Sequence, residues 1–168
     1  MLLIFGGLPA TGKSTISQCI AKELQAIHIR VDSIEQALRD EGFNAVYGEG
    51  YAIAYSIAAD NLALGSTVVA DSVNSIAITR DAWRSVGELA GVRMLEIEIV
   101  CSDQKEHKQR IETRKTSIEG LHQLTWDKVL TRDYEPWPTA TIVIDTAGET
   151  PERSVEKTLS SIRQEPVS

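Results

Sequence analysis

The residues best suited to chemistry stand near the start of the chain, in the run Gly7-Leu8-Pro9-Ala10-Thr11-Gly12-Lys13-Ser14. Their spacing is that of the phosphate-binding loop, G-x-x-x-x-G-K-[ST]. Glycines there let successive backbone N–H groups turn inward around phosphate oxygens, and a helix opening near Lys13 adds unpaired N–H groups and the positive end of its dipole. Lys13 is expected to reach the β and γ phosphates and the Ser14 hydroxyl to hold Mg²⁺. Thr15 completes the expected nucleotide-holding set of Gly7, Leu8, Pro9, Ala10, Thr11, Gly12, Lys13, Ser14 and Thr15.

Further positions carry groups that such a site would use. Asp71 closes the run Thr67-Val68-Val69-Ala70, four small or apolar residues followed by an acid, as in a Walker B strand whose carboxylate lies near Mg²⁺ or its water shell. Asp32 stands where a second strand gives way to a helix. It has two readings, a helix cap or a carboxylate pointing into the cleft and able to take a proton from an attacking hydroxyl. Asn74 and Arg80 fall at the entrance of a later helix, as turn or cap residues or as substrate contacts. Arg110 and Arg114 are four apart, so they share a helix face, with His107 beside them. That face is either solvated or the base of a lid spanning about residues 103–134, bringing guanidinium groups to a transferring phosphate as charge develops.

These side chains need elements to place them. Residues 1–5 form a continuously apolar run, the mark of a parallel strand buried on both faces. Ile16, Cys19, Ile20 and Leu24 have the spacing of one helical face. Residues 26–32 alternate and read as the second strand, ending at Asp32. Asp32 with Glu35, and Ser33 with Gln36, have capping-box spacing, so a short helix is predicted to follow and to stop by Gly42. A long, mostly apolar helix is predicted over 47–64, with Tyr51 and Tyr55 one turn apart as core or binding surface. Strand 66–71, a helix over 78–90 packing Trp83, Val86 and Leu89 inward, and strand 92–101 with Glu96 and Glu98 on a partly solvated face come next. Asp103 opens a charged helix with Glu106 three residues on. A short helix over 125–134 leads to the Pro136-Trp137-Pro138 break and to strand 140–145. Thr150 caps a last helix over 151–162 with Pro151 in its first turn.

The chain has 168 residues and a formal net charge of −7, enough for one domain with a five-stranded sheet. A negative surface disfavours nucleic acid as a partner unless a local basic patch holds it, and favours small substrates. Cys19 and Cys101 are far apart and outside C-x-x-C spacing, and read as buried thiols in a reducing cytosol. No signal peptide is recognised, and the longest weakly polar stretch falls short of the about 18 apolar residues of a membrane span. A cytoplasmic location follows.

Gly7 to Ser14, Arg30-Val31-Asp32, Val69-Ala70-Asp71 with Asn74, and Arg110 with Arg114 together resemble the small P-loop kinases labelled AAA_33 or zeta-toxin-like. That group is similar to the kinase domain of phage polynucleotide kinase, to chloramphenicol phosphotransferase, and to gluconate and adenylylsulfate kinases. The resemblance implies an α/β, three-layer P-loop NTPase fold with a parallel sheet of order 2-3-1-4-5, helices on both faces and a helical lid. It implies ATP with Mg²⁺ and transfer of the γ-phosphoryl to a hydroxyl of a small-molecule acceptor. By the same resemblance Asp32 matches the general base, Asp71 the acid after the third strand, and Arg110 and Arg114 the lid arginines. The chain departs from adenylylsulfate and gluconate kinases in having Arg30-Val31-Asp32 where they carry Asp-Gly-Asp. Asp145-Thr146-Ala147-Gly148 also occurs in Ras-like GTPases, but there it lies midway and precedes an N-K-x-D element that this chain lacks.

The resulting expectation is an ATP-dependent kinase with catalytic Lys13, Asp32, Arg110 and Arg114, metal held by Ser14 and Asp71, and substrate met by Asp32, Asp71, Asn74 and Arg80. The alternatives are a 5′-hydroxyl nucleic-acid kinase and an ATP-binding regulatory module without transferase activity.

Overall fold

The computed structural model describes residues 1–43, 47–113, 118, 120 and 124–166. Five strands form one parallel sheet: β1 (Leu2–Gly6), β2 (Ile27–Arg30), β3 (Val68–Asp71), β4 (Met94–Val100) and β5 (Ile142–Asp145). Their order is β2-β3-β1-β4-β5, and β1 pairs in parallel with both β3 and β4. The helices are α1 (Lys13–Glu23), α2 (Val31–Asp40), α3 (Glu49–Ala63), α4 (Ala77–Leu89), α5 (Gln104–Thr113), α6 (Trp126–Leu130) and α7 (Pro151–Gln164). This is the sheet order that the family resemblance implies, with helices on both faces of the sheet.

The alternation of β1 shows how the layers are made. Leu3 and Phe5 point into a core closed by Ile16 and Ile20 of α1 and Ile162 of α7. Leu2 and Ile4 point the other way, into a core closed by Ala54, Ala58 and Leu62 of α3 and by Trp83 and Trp137. All five residues of β1 are buried, as a central parallel strand requires. The carboxyl end of β1, where the chain order of neighbouring strands reverses, is where open α/β sheets leave a crevice for ligands.

Several expected details come out differently. The second strand ends at Arg30, and α2 starts at Val31 with no side-chain cap bond. Neither capping box forms, because the helix has begun before Asp32 and Ser33 are reached. Asp32 therefore sits in the first helical turn, where a carboxylate suits the dipole. Leu89 is 89% exposed. Trp83 and Val86 do pack inward, joined by the buried Arg80 and Gly87, and a side chain on Gly87 would strike Met94 of β4. Cys19 is exposed and Cys101 half-buried, since α1 turns Ile16, Ser17, Ile20 and Ala21 inward. Glu96 is buried, held by Arg84 at 2.5 Å and accepting from the indole N–H of Trp137 at 3.0 Å. The last short helix stops at Leu130. Two caps form as expected: Asp103 Oδ1 accepts from the N–H groups of Lys105 and Glu106, and Thr150 Oγ1 from that of Arg153.

Candidate active site

The loop between β1 and α1 owes its shape to backbone that few side chains permit. Gly7 has φ 141° and Gly12 φ 97°; a Cβ on Gly7 would run into the carbonyl oxygen of Ile99. Gly12 is the N-cap of α1, so the amides after it open toward the crevice as an anion site. Neighbouring segments hold the loop in place. Gly7 N–H donates to Val73 O at 3.0 Å, Thr11 Oγ1 to Leu8 O at 2.9 Å, and His107 Nε2–H to Pro9 O at 2.8 Å. Thr146 Oγ1 lies 2.8 Å from Thr11 O and 3.0 Å from Val100 O, sharing its proton between them.

Lys13, the first residue of α1, reaches back over the loop, and its Nζ donates to Asp71 Oδ1 at 2.6 Å. Both groups are buried. Burial pushes the Asp71 carboxyl up, but the Lys13 ammonium overrides it, with His28 and Ser14 adding to the effect, and holds the carboxyl well below the usual carboxylate range. Asp71 Oδ2 is buried and takes no hydrogen bond from the described residues; His28 Nε2 and Arg30 Nε stand 3.6 and 3.9 Å from it. A buried carboxylate oxygen with spare lone pairs, close to a serine hydroxyl, is a hard-oxygen donor set of the kind that Mg²⁺ takes. The residues present therefore fit that ion.

A cleft of about 1640 Å³ runs along the carboxyl edge of the sheet. Lys13, Ser14, Thr15, Asp32, Arg110 and Thr146 all line it. Asp32 shares one face of α2 with Glu35, Gln36 and Arg39, since 32, 35, 36 and 39 recur at helical spacing. Glu35 pairs with Arg39 at 3.1 Å, and its burial raises its carboxyl above the usual value. Arg110 donates to Thr146 Oγ1 and Thr146 O at 2.8 Å each, and to Glu106 Oε1 at 2.6 Å. Glu106 in turn accepts from Gly148 N–H at 2.8 Å. This backbone bond, followed by Arg110, holds its carboxyl below the ordinary value. The base of the charged helix is thus tied to the loop after β5. Arg114 lies outside the described residues, as do 115–117, 119 and 121–123 of the expected lid.

Asn74 and Arg80 sit behind the cleft rather than along it. Asn74, fully buried at φ 49°, donates from Nδ2 to Phe5 O at 2.9 Å. Arg80 is buried and donates to the backbone carbonyls of Asn74, Ser75, Glu135 and Pro136, with its guanidinium 4.7 Å from the Trp137 ring. Both brace the chain after β3 against β1 and the segment following α6. The contacts of His107 with Pro9, Thr146 with Thr11 and Trp137 with Glu96 are what sequence reasoning missed. The partners are other segments' backbone or side chains, which leave no local spacing to read.

The AAA_33 family model, described as an AAA domain, matches residues 2–136. No curated protein matches the chain. Among solved structures the chain is similar to a gluconokinase from Sinorhizobium meliloti 1021, at 16% identity over 96% of this chain and 91% of that one, with a TM-score of 0.70. It is similar to the Mycobacterium tuberculosis APS kinase CysC, solved in complex with AMPPNP and APS, at 15% identity over 97% of each chain and a TM-score of 0.72. It is also similar to Chaetomium thermophilum Kti12, solved in complex with ADP-AlF3, at 17% identity over 96% of this chain and 99% of that one, with a TM-score of 0.66. At such identities the likeness is one of fold.

Proposed function

The chain belongs to the AAA_33 family, and on that footing we propose that it is an ATP-dependent phosphotransferase that moves the γ-phosphoryl of ATP to a hydroxyl of a small-molecule acceptor. The observation that carries the reading is the Lys13–Asp71 pair at the head of the phosphate loop, with Asp32 lining the same cleft. A cation and a carboxylate then line one cleft, and the cation is paired with a second, metal-suited carboxylate, the groups that in-line phosphoryl transfer asks of a protein.

The loop amides and Lys13 bind the triphosphate tail, and Lys13 divides its donors between phosphate and Asp71. Ser14 and Asp71 hold Mg²⁺, which when bound neutralises charge on the phosphate oxygens. Asp32, in the first turn of α2, orients the acceptor hydroxyl and takes its proton as the oxygen attacks. Arg110, with Arg114, supplies guanidinium charge to the transferring group from a lid of about residues 103–134, all within one P-loop kinase domain. Among the described residues no helix is long and apolar enough to cross a membrane. The thiols of Cys19 and Cys101, neither in a disulfide, suit a cytoplasmic location.

The direct test is calorimetry of ATP with and without Mg²⁺ on the wild type and on Lys13→Ala, paired with a screen of hydroxyl compounds for γ-phosphate uptake. Magnesium-dependent affinity that disappears in Lys13→Ala is expected. Tight ATP binding by Lys13→Ala would overturn the assignment.

A further inference from the structure

The walls of the cleft on the acceptor side differ in chemistry. One is the charged face of α2, with Asp32, Glu35, Gln36 and Arg39. Along the rest of that side α3, which packs against α2, α4 and the segment between β3 and α4 present Tyr51, Tyr55, Val73, Ile76, Ile78 and Ala82. The polar atoms of this second wall are largely occupied within the protein. The Tyr51 hydroxyl accepts from Asn74 N–H at 3.2 Å, the Tyr55 hydroxyl donates to Thr79 O at 3.2 Å, and Thr79 Oγ1 donates to Ile76 O at 2.9 Å. Ser75 is the polar exception.

Burial raises both phenols above their ordinary value, so neither becomes a phenolate at neutral pH. The tyrosines are fixed as well as neutral. Their rings lie 6.0 Å apart, and Tyr55 stands edge-on to Trp83 at 4.7 Å. Ile78, by contrast, is 71% exposed, an apolar side chain left facing the cleft. A polyol would have to give up water along this wall and find few partners, at a cost for every hydroxyl left unpaired. A flat or alicyclic hydrocarbon body would shed water from both surfaces.

Resting on the kinase reading, we propose that the acceptor is an amphipathic alcohol, with an aromatic or alicyclic body seated against α3 and α4 and a hydroxyl delivered to Asp32, rather than a sugar-like polyol. The hydroxyl and any further polar group lie along α2, where carboxylates and guanidinium groups recognise them. The apolar body sets the pose of the attacking oxygen and so the choice of acceptor.

The test uses tryptophol, an indole carrying one primary hydroxyl, and erythritol, a polyol, each titrated by calorimetry into the protein with AMPPNP and Mg²⁺. Tryptophol is expected to bind at least about tenfold more tightly than erythritol, a difference that one buried ring readily supplies. Ile78→Asn, on an exposed position that leaves the core intact, is expected to weaken tryptophol by about fivefold or more, and Leu89→Asn at the far end of α4 to change nothing. Equal or tighter binding of erythritol, no binding of tryptophol, or indifference to Ile78→Asn would each overturn the proposal. The two readings fail separately. γ-Phosphate uptake by gluconate with no affinity for tryptophol would leave the kinase standing and remove the amphipathic acceptor. Tryptophol binding by a chain without magnesium-dependent ATP affinity would remove the kinase.

Discussion

Lys13 Nζ and Asp71 Oδ1 lie 2.6 Å apart, from the start of α1 to the end of β3, with both side chains almost wholly withdrawn from solvent. Removing one member of such a pair strands the other, which is why breaking a buried ion pair costs about 3–5 kcal/mol. Asp71→Asn is therefore expected to lower the unfolding free energy in urea by that order and to remove the magnesium dependence of ATP affinity. A variant as stable as the wild type would show that the pair contributes little to the fold.

The same pair sets a pH dependence. Folding holds Asp71 below its ordinary value, so its stabilisation is complete above the unfolded carboxylate value of about 3.9 and is lost as pH falls from there toward the folded value. The stability gap between wild type and Asp71→Asn is expected to stay constant from neutral pH down to that range and to narrow below it. Denaturant titrations at several acid pH values measure this, and a gap that widens on acidification contradicts it.

Asp32 cannot be assigned to capping α2, because the helix begins before it and has no side-chain cap. Asp32→Asn is expected to leave ATP affinity intact and to slow transfer by about 10²–10⁴-fold, the range of a lost general base. Single-turnover assays with labelled ATP read this directly. Unchanged transfer would reduce Asp32 to a favourable charge at a helix start.

His107 reaches across 98 residues to the Pro9 carbonyl and stands edge-on to Trp126 at 5.2 Å. His107→Ala leaves that carbonyl without its donor and the loop less constrained, and a lost buried partner costs about 1–3 kcal/mol. The expected result is weaker ATP binding by calorimetry together with a lower melting temperature. Unaltered nucleotide affinity would make the contact purely structural.

Gly7 and Gly148 both have positive φ, but only Gly7 faces backbone where a Cβ would stand; Gly148 faces open space. Gly148→Ala is expected to cost about 1–2 kcal/mol of backbone strain. Gly7→Ala has to move the Ile99 carbonyl as well and is expected to cost more. Chemical denaturation of the two variants ranks them, and the reverse order would contradict the loop geometry.

Features written in short spacings were legible beforehand. The phosphate loop, the Asp103 and Thr150 caps and the alternating strands each depend on neighbours a few residues apart, and the strand order came with the family resemblance. The exposed positions of Leu89 and Cys19 were misread because an apolar residue close to the helical period need not fall within the stripe that tertiary packing selects. Asp32 was placed one element too early, since nothing in Arg30-Val31-Asp32 marks a strand passing straight into a helix. Thr146 gave no local sign at all. Its partner Thr11 is 135 residues away, and the D-T-A-G run around it suggests a different family's switch.

Thr146 also bears on how this molecule can be divided. The family match ends at residue 136, yet beyond it come β5, α7 and the hydroxyl that clasps Thr11. A protein trimmed to the matched segment would lay bare one flank of Ile97 and Ile99 and lose Ile162 from the core they share. It would also free Arg110 from its anchor. Excision at that border would yield an aggregating fragment with a slackened phosphate grip, so the unit that folds extends past the unit that homology recognises.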